Sequence, residues 1–155
     1  MNGGEVMGKR MRRLWVVLLI LYSLVMAYLL LLNRPVLVQR SINLVPLRTV
    51  QQFEYLLRRQ NGADLSRIAF ANLAGNVLLF LPLGFLPPMV WPKLRTWLRT
   101  LGIAAGAVIC VEAAQYVTRR GAADVDDLLL NLLGAAIGFL IFRISERVYA
   151  KRHSG

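Results

Sequence analysis

Residues 14–32, LWVVLLILYSLVMAYLLLL, run for nineteen positions without a charge. The hydrocarbon core of a bilayer takes about 20 helical residues, because only a helix satisfies every backbone polar group away from water. The run therefore fixes the environment first: this part of the chain belongs in lipid. It follows the basic stretch MGKRMRR, which raises the alternative of a cleaved signal peptide. Its apolar stretch is longer than the usual signal core, and no A-x-A-like site follows, so an uncleaved anchor is expected.

Three more stretches have the length to span. The second, residues 68–91, is apolar except for Asn72 and Asn76, with Pro82, Pro87 and Pro88 expected to break its far half. The third, residues 98–117, contains Glu112 and Gln115, and the fourth covers residues 125–144. With 57% hydrophobic residues in 155, the chain is too apolar for an ordinary soluble domain. The reading is an all-α membrane protein: a bundle of four transmembrane helices, with a short interfacial helix in the first outer loop. It divides into a basic N-terminus (1–13), a transmembrane domain (14–145) and a basic tail (146–155).

The net charge of +11 would suggest nucleic acid in a soluble protein. Here the positions of the charges explain it as topology, and no nucleic-acid partner is expected. Eleven of the nineteen Lys and Arg fall on the side of the two termini and eight on the other. That bias places both termini in the cytoplasm of a multi-pass protein of the plasma (inner) membrane. Trp15, Trp91 and Trp97 then fall at the inner interface, where indoles anchor. Cys110 has no second cysteine to pair with. No metal-ligand motif stands out, and neither a metal nor a cofactor is expected.

With this topology the embedded polar residues gather in the outer half. At 1.5 Å per residue, Asn72 and Asn76 lie roughly 6 and 12 Å below the outer end of the second helix. Glu112 and Gln115 occupy the last turns of the third, and Asp124, Asp127 and Asn131 the first turns of the fourth. The inner half has no matching set, which disfavours a channel. Asp124, Asp127, Asn131, Gly134 and Gly138 share one face of the fourth helix, while Asp126 points elsewhere and is expected to tolerate Asn better. The glycines form a small-xxx-small pattern that admits a second helix at close range, so the stripe faces protein. Intramembrane ionisable groups commonly mark function. Helix capping by Asp124 and Asp127 is the plainer account of the aspartates, and interhelical hydrogen bonding is that of the buried amides.

In the outer loop, SINLVPLRT carries a turn at Pro46, and Thr49 with Gln52 matches a capping box. The helix it opens, about residues 50–60, is amphipathic and suited to lie on the outer leaflet. Arg48 would sit at the membrane surface, able to pair with the carboxylates of the third and fourth helices or with an anionic headgroup.

NLVPLRT (43–49), NLAGNVLLFLPLGFLPP (72–88), VEAAQ (111–115) and, after Arg120, ADVDDLLLNLLGAAIGF (123–139) together resemble the VanZ-like family of small bacterial membrane proteins, over roughly residues 15–145. The family is named for a member associated with resistance to the glycopeptide teicoplanin. Leu47 stands where the family favours an aromatic residue and Phe139 where tyrosine is common. The resemblance implies a polytopic envelope protein.

The residues expected to form a binding site are Arg48, Asn72, Asn76, Glu112, Gln115, Asp124, Asp127 and Asn131. The favoured function is non-catalytic binding or modulation of a lipid-linked cell-wall precursor or a lipid-tailed glycopeptide, with membrane lipid as the surrounding partner. The alternative is a membrane enzyme acting on a lipid-phosphate or related substrate, with Glu112 or Asp127 as acid or base and Arg48 as anion clamp.

Single cysteines at Gln60 and Ser154, in a Cys110→Ala background, test the topology. An impermeant thiol reagent on intact cells should label Gln60→Cys and spare Ser154→Cys. Labelling of Ser154→Cys overturns the orientation.

Overall fold

A computed structural model describes residues 9–33, 36–37, 42–58, 63–121 and 123–152. Helix α1 (Lys9–Ala27) continues into a π-helical turn, Tyr28–Leu32. A two-residue strand β1 (Ile42–Asn43) leads into helix α2 (Arg48–Leu57) and then α3 (Ala63–Val90). After a 3-10 turn at Pro92–Leu94 come α4 (Trp97–Thr118), strand β2 (Ala123–Asp124) and α5 (Val125–Arg152). Four of these spans are long and apolar enough to cross a membrane: Lys9–Leu32, Arg67–Val90, Trp97–Thr118 and Val125–Arg152, with mean hydropathies of 2.6, 1.8, 1.5 and 2.0. Leu98, Val117, Leu78 and Leu24 are among the large side chains turned outward, at 83, 66, 64 and 62% exposure. Left in water, that surface would oppose folding at about 25 cal/mol per Å²; in a bilayer it is the solvated face.

The all-α bundle is as the sequence implies, and the main difference lies in α3. Pro82, Pro87 and Pro88 sit inside a helix that continues unbroken to Val90. In water a ring in a helix interior commonly ends the helix. In lipid, breaking it would strand more backbone groups than it relieves, and the last carbonyls of α3 find donors of their own. Arg95 donates its Nε–H to the Pro88 carbonyl at 3.3 Å, and the Trp91 amide donates to Pro87 at 2.9 Å. From the side, Tyr22 of α1 donates its hydroxyl to the Leu79 carbonyl of α3 at 2.9 Å.

The α3–α5 pair is the most extensive helix packing in the molecule. Glycines set its closeness. A Cβ on Gly134 would collide with the Val77 carbonyl, on Gly138 with that of Leu81, and on Gly84 with that of Ala135. Three such collisions along one seam mean that backbone lies against backbone, the arrangement that small residues permit in lipid, where dispersion drives association. Around it, Met26, Leu30, Phe80 and Val108 form a buried cluster that joins α1 and α4 to the pair.

At the end of the bundle where α1 begins and α5 ends, aromatic rings fill the gaps. Trp15 meets Phe85 edge-on at 5.9 Å, Phe85 meets Phe142 at 6.5 Å, and Trp97 meets Phe139 at 5.3 Å. The Trp15 indole nitrogen is buried and has no hydrogen-bond partner among the described residues. Trp15 therefore acts here by packing rather than by anchoring through its N–H.

Gly138→Ala should destabilise the detergent-solubilised protein by at least about 1–3 kcal/mol, the usual cost of overpacking. Gly75→Ala should melt within about 0.5 kcal/mol of wild type, since a Cβ there meets nothing within 4 Å. Equal melting of the two variants would show that the seam has been misplaced.

Candidate functional site

The opposite end of the bundle holds the polar residues, and its geometry begins with the short parallel pairing of β1 and β2. Ile42 faces Ala123 and Asn43 faces Asp124, so the chain preceding α2 is tied to the chain preceding α5. The Asn43 amide donates to Asp124 Oδ1 at 3.0 Å, while Asn43 Oδ1 accepts from the Val45 amide at 3.3 Å, turning the chain toward Pro46. Asp124 Oδ1 also accepts the Asp126 amide at 2.8 Å. That is an N-cap bond, from the residue before the helix to its second N–H. Asp124 thus caps α5 and holds the segment that precedes α2 with the same carboxylate.

Asp126 lies off the Asp124–Asp127–Asn131 line, as helical spacing requires, but it does not face away from the protein. It is 2% exposed, and its Oδ1 accepts the Leu47 amide at 2.5 Å. Leu47 has a φ of 63°, a left-handed conformation that costs a non-glycine residue roughly 1–2 kcal/mol. A hydrogen bond to a carboxylate contributes about 1.5–3 kcal/mol, enough to hold the strained residue. Pointing off that line does not leave Asp126 idle: it is the most deeply buried of the three aspartates and holds the turn that launches α2. The sequence signal was present in the spacing of NLVPLR and DVDD, but a single helix wheel has no second element on which to see it.

Asp127 reaches across the helix pair, and its Oδ1 accepts the Asn76 amide of α3 at 2.5 Å. Asn131, one turn further along α5, is 3% exposed and its Oδ1 has no partner among the described residues. Glu112 is half-buried on α4. Gln115, 1% exposed, donates its amide to the Leu30 carbonyl at 2.9 Å, and Arg120 donates to Leu32 at 2.8 Å. The end of a helix leaves carbonyls without an intrahelical partner; Gln115 and Arg120 satisfy two of them at the π turn that ends α1. Gln115 is accordingly a strut between α1 and α4.

The expected cluster is therefore only partly assembled. Asn76, Asp127 and Asn131 lie in the α3–α5 seam, and Asp124 joins them at its mouth. Asn72 is exposed on α3 and makes no hydrogen bond among the described residues. Arg48 is exposed at the start of α2, and the ion pairs among the described residues, Arg58–Glu54, Arg95–Glu146 and Arg143–Glu146, do not include it. Of the two partners expected for Arg48, carboxylates or an anionic headgroup, the first is not paired with it among the described residues: the aspartates are engaged by Asn43, the Leu47 amide and Asn76. Helix α2 begins at Arg48, two residues earlier than the spacing suggests, and the side chains of Thr49 and Gln52, which carry the expected capping box, lie outside the described residues. Phe53 of α2 stands 6.2 Å from Phe70 of α3, which seats the short helix against the bundle.

Among the described residues no group of three or more His, Cys, Asp or Glu side chains could hold a metal ion. What the arrangement offers chemically is an exposed guanidinium on an amphipathic helix, above a seam of buried amides and carboxylates.

A family model described as VanZ/LLP1 matches residues 16–146. No curated protein and no solved structure matches the chain. The matched span takes in most of the four membrane-spanning segments, the strand pairing and the seam, and on that basis the chain belongs to the VanZ/LLP1 family of integral membrane proteins.

Proposed function

We propose that the protein resides in the bacterial plasma membrane with both termini cytoplasmic and binds an anionic, lipid-tailed envelope compound at its loop-bearing end without transforming it. A lipid-linked cell-wall precursor and a lipid-tailed glycopeptide antibiotic both have this chemistry, and sequestering the second would confer resistance. The observation that carries the reading is Arg48, exposed and outside every ion pair among the described residues. It opens a helix whose Phe53 rests on the bundle. A guanidinium at that level suits a phosphate or carboxylate, which it engages through two parallel hydrogen bonds, while the amphipathic helix beside it suits an acyl tail.

Support for binding without turnover comes from the aspartates. An acid or base must reach the proton it transfers, and Asp124, Asp126 and Asp127 each hold a fixed group of the protein. Glu112 is the carboxylate through which the enzymatic alternative would operate.

Purified protein incubated with a lipid-linked cell-wall precursor, followed by mass spectrometry of the lipid, separates the two readings. The precursor should be retained with its mass unchanged. Arg48→Gln should weaken retention about tenfold or more, as expected for loss of a hydrogen bond to a charged group. Arg48→Lys should recover part of it, keeping charge without the planar fork. A product of altered mass that disappears in Glu112→Gln would replace this reading with the enzymatic one.

A further inference from the structure

The end of the bundle where α1 begins and α5 ends holds a second feature, separate from the loop-bearing site and independent of its interpretation. A cleft of about 390 Å³ opens between the start of α4 and the last turns of α5, lined by Arg95, Trp97, Phe139, Leu140, Arg143 and Arg147, among others. We infer that this cleft is a binding site for the phosphate of an anionic glycerophospholipid, with the lipid's acyl chains lying against α5.

The order of residues along α5 carries the inference. Leu140 and Ile144 line the cleft and are exposed at 54 and 52%. Arg143 and Arg147 line it one turn apart, toward the end of the helix. At 1.5 Å per residue, the step from Leu140 to Arg147 is roughly 10 Å along the axis. Apolar and cationic side chains interleave along this wall, Leu140 then Arg143, Ile144 then Arg147, and it ends on a cation about one acyl-to-phosphate distance beyond Leu140. Trp97 supplies the amphipathic ring favoured at that depth. Basic pockets between membrane helices are a known form of anionic headgroup recognition.

The charges are held ready rather than free to collapse. Glu146 pairs with Arg95 at 3.3 Å and with Arg143 at 2.8 Å. The Arg95 guanidinium also lies over the Phe142 ring, 5.9 Å from its centroid. Glu146 is the one carboxylate described at this end of the bundle, so it fixes two arginines while neutralising one positive charge. Arg147 is exposed and makes no ion pair among the described residues. Three guanidiniums against one carboxylate leave the cleft cationic, and two of the three have little side-chain freedom left to lose on binding.

The test is lipid titration of the detergent-purified protein, followed by native mass spectrometry. Phosphatidylglycerol and phosphatidylcholine with identical acyl chains are compared, with and without inorganic phosphate as competitor. Wild type should retain phosphatidylglycerol in preference to phosphatidylcholine. Arg147→Gln should weaken phosphatidylglycerol alone by about fivefold, the effect of one basic residue near an anionic surface, and Arg147→Lys should restore it. Arg147 makes no ion pair among the described residues, so its variants should melt like wild type. Equal retention of the two lipids, or an unchanged Arg147→Gln protein, overturns the inference. So does displacement by inorganic phosphate as effective as that by lipid, since the site would then take a free ion.

Discussion

The structure at the loop-bearing end depends on carboxylates at the start of α5 accepting hydrogen bonds from the segment that precedes α2. Asp126 holds the Leu47 amide and Asp124 holds the Asn43 side chain, and the second bond sits beside the strand pairing at Asn43–Asp124. A short helix of ten residues is marginal by itself. It persists here because its N-terminal turn is pinned to a long helix, and because Phe53 is seated on Phe70. The position of Arg48 follows from these contacts, since it is the residue immediately after the strained Leu47. Of the residues that look like a ligand site in one dimension, Asp124, Asp127, Asn76 and Gln115 thus hold the structure together, and Arg48 stands exposed on it.

The same economy operates deeper in the bundle. Glycines at 84, 134 and 138 let the backbones of α3 and α5 touch, and at that separation Asn76 can reach Asp127. A hydrogen bond between side chains in lipid is worth on the order of 1 kcal/mol, so the polar pair does not by itself assemble the helices. The close packing does, and the pair fixes their register. Asn131 remains buried below it with an oxygen that has no partner among the described residues, a cost that a merely structural amide would normally avoid.

How much was legible in the sequence follows from the range of each interaction. The four spans could be read because hydrophobic length is a property of consecutive residues, and the glycine seam because its spacing is helical. Capping by Asp124 was legible for the same reason. The continuity of α3 was not, because proline is judged by its behaviour in water while the penalty for breaking a helix depends on the solvent around it. The roles of Asp126 and Gln115 were also hidden. Each is defined by a backbone group about eighty residues away, Leu47 for one and Leu30 for the other, and no local pattern marks a carbonyl or an amide as needing a partner. Arg48 was found as a candidate, but its separation from the carboxylates emerges only when the loop is in place.

Asp126 pins the segment that precedes α2 to α5 through the Leu47 amide. Hydrogen–deuterium exchange on the purified protein, following a peptide that contains Leu47, tests it directly by comparing wild type with Asp126→Ala. Loss of a buried partner costs about 1–3 kcal/mol. The Leu47 amide should therefore exchange at least about fivefold faster in the variant, while the protection of α3 and α5 within the membrane is unchanged. Exchange at Leu47 that is the same in both proteins would contradict the claim and return the DVDD segment to simple capping of its own helix.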